Sequence, residues 1–166
     1  MAQRWLHWFM AALILTLLLA VEMPKNPFKH ALVEWHREAG IAVFALLLAR
    51  VYGRMKSNVA PIFSTLCSWQ VLLARVVHGV MYLLMFSVPV LGVLFSQAKG
   101  KELEFVGVTL PVILNEDSGL PYALALKTAH EWAGNVFLYL IGLHFLSVVY
   151  HQWVRKDDIL KRMRPF

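Results

Sequence analysis

Four apolar stretches, Trp5–Val21, Leu32–Val51, Trp69–Phe95 and Tyr122–Val154, dominate the chain. Each is long enough to cross a bilayer as a helix, which takes about 20 residues. The 166 residues are 59% hydrophobic and only 16% charged, with a mean hydropathy of +0.59. A water-soluble fold of this length has too little interior to hide so much apolar side chain. The pattern predicts an all-α fold, a transmembrane four-helix bundle, forming one domain over residues 1–166. The fourth stretch exceeds a perpendicular span, so its ends are expected to tilt or project into the interface. Arg4 and the run "AALILTLLLAV" have the look of a signal peptide, but no small-x-small cleavage site follows. The first stretch is read as a retained helix.

The connections carry turn chemistry: "EMPKNPFKH", "GRMKSNVAP", "AKGKELEF" and "NEDSGLP". The longest connection runs from Gln97 to Pro121 and contains "FVGVTLP", apolar enough to lie against the membrane surface. Net charge is +6. In a soluble protein that would suggest nucleic acid. Here the cations flank apolar spans, so membrane orientation accounts for them and nucleic-acid binding is excluded. One side would hold both termini and the second connection, with ten Lys and Arg against Asp157 and Asp158. The other would hold six cations against eight acids. That excess puts both termini in the cytoplasm. Four helices with such short connections point to a bacterial inner membrane. The single cysteine, Cys67, excludes an internal disulfide, a multi-cysteine iron–sulfur site and a c-type haem attachment.

Seven histidines remain to be explained. An ionisable side chain inside a span is costly, so an embedded one needs a partner or a ligand. His130 and His144 are fourteen residues apart, about 21 Å along a helix and about 40° around it. The last helix therefore shows two imidazoles on one face, at two depths. His36, near the start of the second helix, shares the depth of His130. His7, near the start of the first, shares that of His144. Two opposed imidazoles in a dry bundle fit the two axial positions of haem iron. Gly40 and Gly134 each stand four residues after a histidine, on its face, where a side chain would strike a flat macrocycle. Ala11 has that place after His7, and Gly142 is near His144.

A lone histidine in a membrane helix is more simply a polar contact between helices. Four at two matched depths favour ligation. Zinc would want three or four donors at one depth, and pairs are found instead. His30 is expected in a loop and solvated. His78 has three readings: a hydrogen bond to a haem propionate, ligation in place of His7, or satisfaction of a neighbour. His151 lies about 10 Å beyond His144 on the same stripe. It is either an ordinary interfacial residue or a proton or quinone contact.

The segments "RWLHW", "WHREAGIAVFALLLARVYGR", "HGVMYLLMFSVPVLG", "FVGVTLP" and "AHEWAGNVFLYLIGLHFLSVVYHQWVRKDDILKRM" resemble the bacterial cytochrome b561 family, from Arg4 to Pro165. The family consists of four-helix inner-membrane proteins with two b haems. Its ligand positions fall on His7, His36, His130 and His144. The stretch after His36 departs from the pattern: Arg37–Glu38–Ala39 stands where a small or basic residue followed by serine is more usual.

A haem iron with two histidines has no open position, so it passes single electrons. Two such haems at opposite depths would make a path across the bilayer. Arg37 and Lys127 are candidates to pair with outer propionates, and Arg75 and Arg4 with inner ones. Interfacial anchoring is the plainer role for each. The resemblance implies exchange with the quinone pool, and it allows superoxide as a small-molecule donor. An anionic donor would want the cations Lys99, Lys101, Lys127 and Arg37, although the outer side is acidic overall. His151, Trp8 and Arg155 are the candidate quinone contacts. An alternative is a cytochrome b anchor subunit that passes electrons to or from a larger protein partner. A third class, a metal or proton carrier without haem, would lack reduced b-type absorption bands.

Overall fold

The computed structural model describes residues 2–22, 27–56 and 67–156. Much of the first two connections, and the closing cations Lys161, Arg162 and Arg164, lie outside the described residues. Four long helices form the bundle: α1 (Ala2–Glu22), α2 (Lys29–Lys56), α3 (Ser68–Gln97) and, after a structured connection, α5 (Ala123–Val149). All four expected spans are helical, and α1–α3 extend beyond both expected ends. The extra residues are mostly polar, among them Gln3, Arg4, Glu22, Lys29, Arg54, Lys56, Ser68 and Gln97. His30, expected in a loop, lies in the first turn of α2 and is exposed.

α1, α3 and the segment Glu116–Arg155 are each long and apolar enough to cross a membrane. α2 is more polar because Glu34, Arg37 and Glu38 occupy its early turns and Arg50, Arg54 and Lys56 its last. Its middle, from Ala39 to Ala49, carries no charge. Arg54 and Lys56 face the negative end of the α2 dipole.

The core is a single apolar layer in the middle of the bundle. Met10, Ile14 and Leu17 form one stripe of α1, and Ala39, Val43 and Leu47 one stripe of α2. Spacings of three and four residues put each set on one helix face. Phe137 of α5 completes the layer, with Leu84 and Met85 of α3 packed against it. Consecutive helices are neighbours, whereas α1 and α5 meet sparingly. The outward faces carry Phe9, Leu19, Leu72, Leu83, Tyr139 and Phe145, all exposed. Apolar surface of that extent needs lipid rather than water.

The connection between α3 and α5 is ordered. Two short strands, β1 (Glu104–Phe105) and β2 (Val108–Thr109), pair antiparallel around Val106 and Gly107. Both turn residues have positive φ, 53° and 77°, as a two-residue hairpin turn of right-handed twist requires. A short helix, α4 (Glu116–Gly119), follows; the Asn115 carboxamide oxygen accepts from the Ser118 N–H at 3.0 Å. The buried Gln97 ties this connection to the end of α3. Its amide donates to the Pro111 carbonyl at 2.9 Å and accepts from the N–H groups of Ile113 and Leu114 at 3.0 and 3.3 Å. Beyond α5 the helix widens into a π-helical segment, Tyr150–Arg155, capped by Lys156 in the left-handed conformation. Arg155 donates to the Gln70 side-chain oxygen at 3.3 Å, and that oxygen also accepts from the Cys67 N–H that starts α3.

Candidate functional site

Histidines gather at both ends of the apolar layer. At one end α2 and α5 bring His36 and His130 together, with ring centroids 6.0 Å apart and planes at 84°. His130 Nδ1 lies 2.9 Å from the Val88 carbonyl of α3. A carbonyl oxygen only accepts, so Nδ1 carries the ring proton and Nε2 keeps its lone pair. Gly92, one turn further along α3, lies against the same ring. A Cβ there would stand 3.1 Å from His130 Cε1 and 3.2 Å from Nδ1. His36 Nδ1 is buried with no hydrogen-bond partner.

These features fit a metal held between two imidazoles. Two metal–nitrogen bonds of about 2 Å, with about 1 Å from each nitrogen to its ring centre, span about 6 Å. A Cβ built on Gly40 would meet nothing within 4 Å, and one on Gly134 would only touch Leu18 at 4.0 Å. Both glycines thus border open space beside a histidine. Among the described residues no three His, Cys, Asp or Glu side chains form a metal cluster.

The surroundings of this pair are mixed in charge. The Arg37 guanidinium is 3.9 Å from Glu34, and its Nε is buried without a hydrogen-bond partner. Lys127 is committed to Glu131 at 2.9 Å. Lys99 lies over the Phe95 ring at 5.7 Å. A cleft of about 180 Å³ opens between the first turns of α2 and β1, lined by Glu34, Arg37, Glu38, Ile41, Leu103 and Glu104. Three carboxylates and one cation make it an acidic approach.

The other end holds three imidazoles. His78 of α3 stands against His144 of α5, with centroids 5.2 Å apart and planes at 77°. The Ala74 carbonyl one turn earlier takes a hydrogen bond from His78 Nδ1. His7 of α1 is within electrostatic reach of both His144 and His78, and its ring packs edge-on against Trp8. Arg50 reaches His7 from α2: one guanidinium nitrogen is 3.3 Å from His7 Nδ1, and the other donates to the Gln3 carbonyl at 3.0 Å. The expected partner of His144 was His7, and the ring contact is made by His78. Gly142 has open space where a Cβ would go. Arg75 lies in α3 one turn before His78 and is exposed; it and Arg4 have interactions of their own. His151 lies in the π-helical segment, edge-on to Tyr150 at 5.6 Å.

Sequence reasoning missed three residues of these sites. Arg50 counts in the sequence as an orienting cation and as part of the segment that resembles the family, not as a neighbour of His7. Val88 takes part through its backbone, which no side chain announces. Gly92 is on α3, a different helix from the histidine-glycine spacings that drew attention to Gly40 on α2 and Gly134 on α5.

Comparison with known proteins identifies the family of the chain. A family model described as prokaryotic cytochrome b561 matches residues 1–166. "Cytochrome b561 homolog 1" of Escherichia coli is 27% identical over 98% of this chain and 94% of its own length. "Probable superoxide oxidase CybB" of Yersinia pestis is 28% identical over 96% of this chain and 92% of its own. "Cytochrome b561 homolog 2" of Escherichia coli is 31% identical over 81% and 71%. A bundle of membrane-crossing helices with clustered histidines, matched along its whole length, thus belongs to the prokaryotic cytochrome b561 family, bacterial membrane proteins that transfer electrons on haem b.

Proposed function

We propose that the chain carries electrons across the bacterial inner membrane through two b haems, each held by two histidines. His36 and His130 hold one on the periplasmic side. His7 and His144 hold the other on the cytoplasmic side, where both termini lie. The observation that carries this reading is the pair His36–His130, 6.0 Å apart, with an unpartnered Nδ1 on one ring and open space at Gly40. A haem held by two histidines would supply one-electron transfer.

The chain's own residues do the rest. His130 presents Nε2 because Val88 holds its Nδ1 proton. Arg37, with its unpartnered Nε, is placed to receive a propionate, and Lys127 would do so by releasing Glu131. At the other end Arg50 is the cation beside His7, with Arg75 and His78 supplied by α3. Phe137, seven residues from both His130 and His144, fills the layer between the two levels and keeps water out of it. The quinone contacts are His151, Trp8 and Arg155.

Superoxide is the proposed donor, in keeping with the name of the Yersinia relative. Each superoxide gives up one electron and leaves as dioxygen. Two such electrons and two protons convert one quinone to quinol. The acidic cleft beside Arg37 means that the approach rate for an anion is not raised by the local field there.

A pyridine haemochrome assay on the purified chain, followed by stopped-flow mixing with superoxide and then quinone, tests the proposal. Two haems per chain, reduced by superoxide and reoxidised by quinone, are expected. A colourless chain overturns the haem reading. Two haems without turnover would instead assign the chain to the anchor class, serving a larger protein partner.

A further inference from the structure

α3 contributes no histidine to the His36–His130 level, yet it touches His130 twice. We propose that Val88 and Gly92 form a seat that fixes the His130 ring as an axial ligand and thereby sets the potential of the haem it holds. The proposal rests on His130 being a ligand, as argued above.

Val88 and Gly92 are four residues apart and so share one face of α3. The Val88 carbonyl, 2.9 Å from His130 Nδ1, fixes both the tautomer and the direction of the ring. A histidine that donates its second N–H to a carbonyl is a stronger electron donor to metal, which favours the oxidised ion and lowers the potential. Gly92 makes the approach possible. Its missing side chain lets the ring lie against the α3 backbone, where a Cβ would crowd Cε1 at 3.1 Å and Nδ1 at 3.2 Å. A methyl group there would turn or push the ring and stretch the bond to Val88. Both contacts fall on the Nδ1–Cε1 edge of the ring and come from one helix. On the opposing ring of His36, Nδ1 is buried without a partner, and the hydrogen bond that ring makes is to the Leu17 backbone of α1, not to α3.

The test uses the haem-loaded chain. Gly92→Ala should raise the potential of one haem and shift its low-spin electron paramagnetic resonance signal, leaving the other haem unmoved. Loss of that haem alone would be the stronger form of the same result. A His130→Gly chain loaded with free imidazole or with 1-methylimidazole keeps the question open to measurement if Gly92→Ala does not accumulate. Imidazole can donate to Val88 and should restore the native potential; 1-methylimidazole has no N–H and should leave it higher. Equal potentials with the two bases, or an unmoved potential and spectrum in Gly92→Ala, overturn the seat. A His130→Gly chain that keeps two haems without any added base overturns ligation by His130 itself.

Discussion

Arg50 of α2 holds His7 of α1 by its Nδ1, at 3.3 Å, while also donating to the Gln3 carbonyl at 3.0 Å. A guanidinium can only donate, so His7 Nδ1 accepts and the ring proton sits on Nε2. A haem iron held by His7 through Nε2 would take the lone pair there. Loading the site would then move that proton to Nδ1 and break this contact, freeing the guanidinium for a propionate. Arg50→Met should lower the stability of the haem-free chain by about 1–2 kcal/mol, the range for a hydrogen bond to a charged group that is partly solvated. The loaded chain should lose a different amount, since the His7 contact is already gone. Thermal unfolding in detergent with and without haem reads both. Equal losses would mean that the guanidinium keeps its grip on His7 in both states.

The contact between His78 and His144, 5.2 Å between centroids, sets up a choice of ligand. If His7 ligates, His7→Ala should reduce the count from two haems to one, and His78→Ala should leave two with a changed spectrum. The opposite pattern would make His78 the ligand and His7 its bystander. A haemochrome count on the two variants decides it.

Gly40 and Gly92 both stand beside a histidine of the same pair but should respond oppositely to alanine. Open space surrounds a Cβ at position 40. Gly40→Ala should therefore fold well and gain about 0.5–1 kcal/mol in the haem-free chain from helix propensity. Gly40→Leu should fold too, yet lose the haem on that side, because the larger side chain enters the space a macrocycle needs. Retention of both haems by Gly40→Leu would show that the macrocycle lies elsewhere.

The histidine pair at the His36 end was legible because depth and face follow from counting along regular helices. His36 and His130 are each seven residues from the start of helices that run in the same direction, so arithmetic places them together. The other end was only partly legible. Three imidazoles share it, and which two rings touch depends on helix rotation and tilt, which counting does not give. The ordered connection was harder still. β1 and β2 have two residues each, too few for any periodicity, and Val106 is an unusual residue for positive φ. α4 did carry a readable start in Asn115, but a four-residue helix is below what apolar spacing can detect.

Gln97 is the residue on which that connection depends. It is 3% exposed and satisfies three backbone groups of the segment 111–114. Gln97→Leu preserves bulk but strands those groups, at about 1–3 kcal/mol for each that water cannot reach. Hydrogen exchange should speed up across residues 98–122 while α1, α2 and the middle of α5 stay protected. Unchanged exchange in the connection would show that the hairpin and α4 hold it without help.

A π-helical segment can be viewed as an α-helix with one residue too many. Tyr150–Arg155 lies directly between His144 and the end of the described chain, so its winding sets where His151 points. Deleting a single amino acid there would let the backbone relax to ordinary winding without a break, and would move each remaining side chain of the segment by one place in the register. The bearing of His151 relative to His144 is therefore written in the length of the polypeptide, and relatives that differ by one residue at this place would aim a different side chain at the same spot.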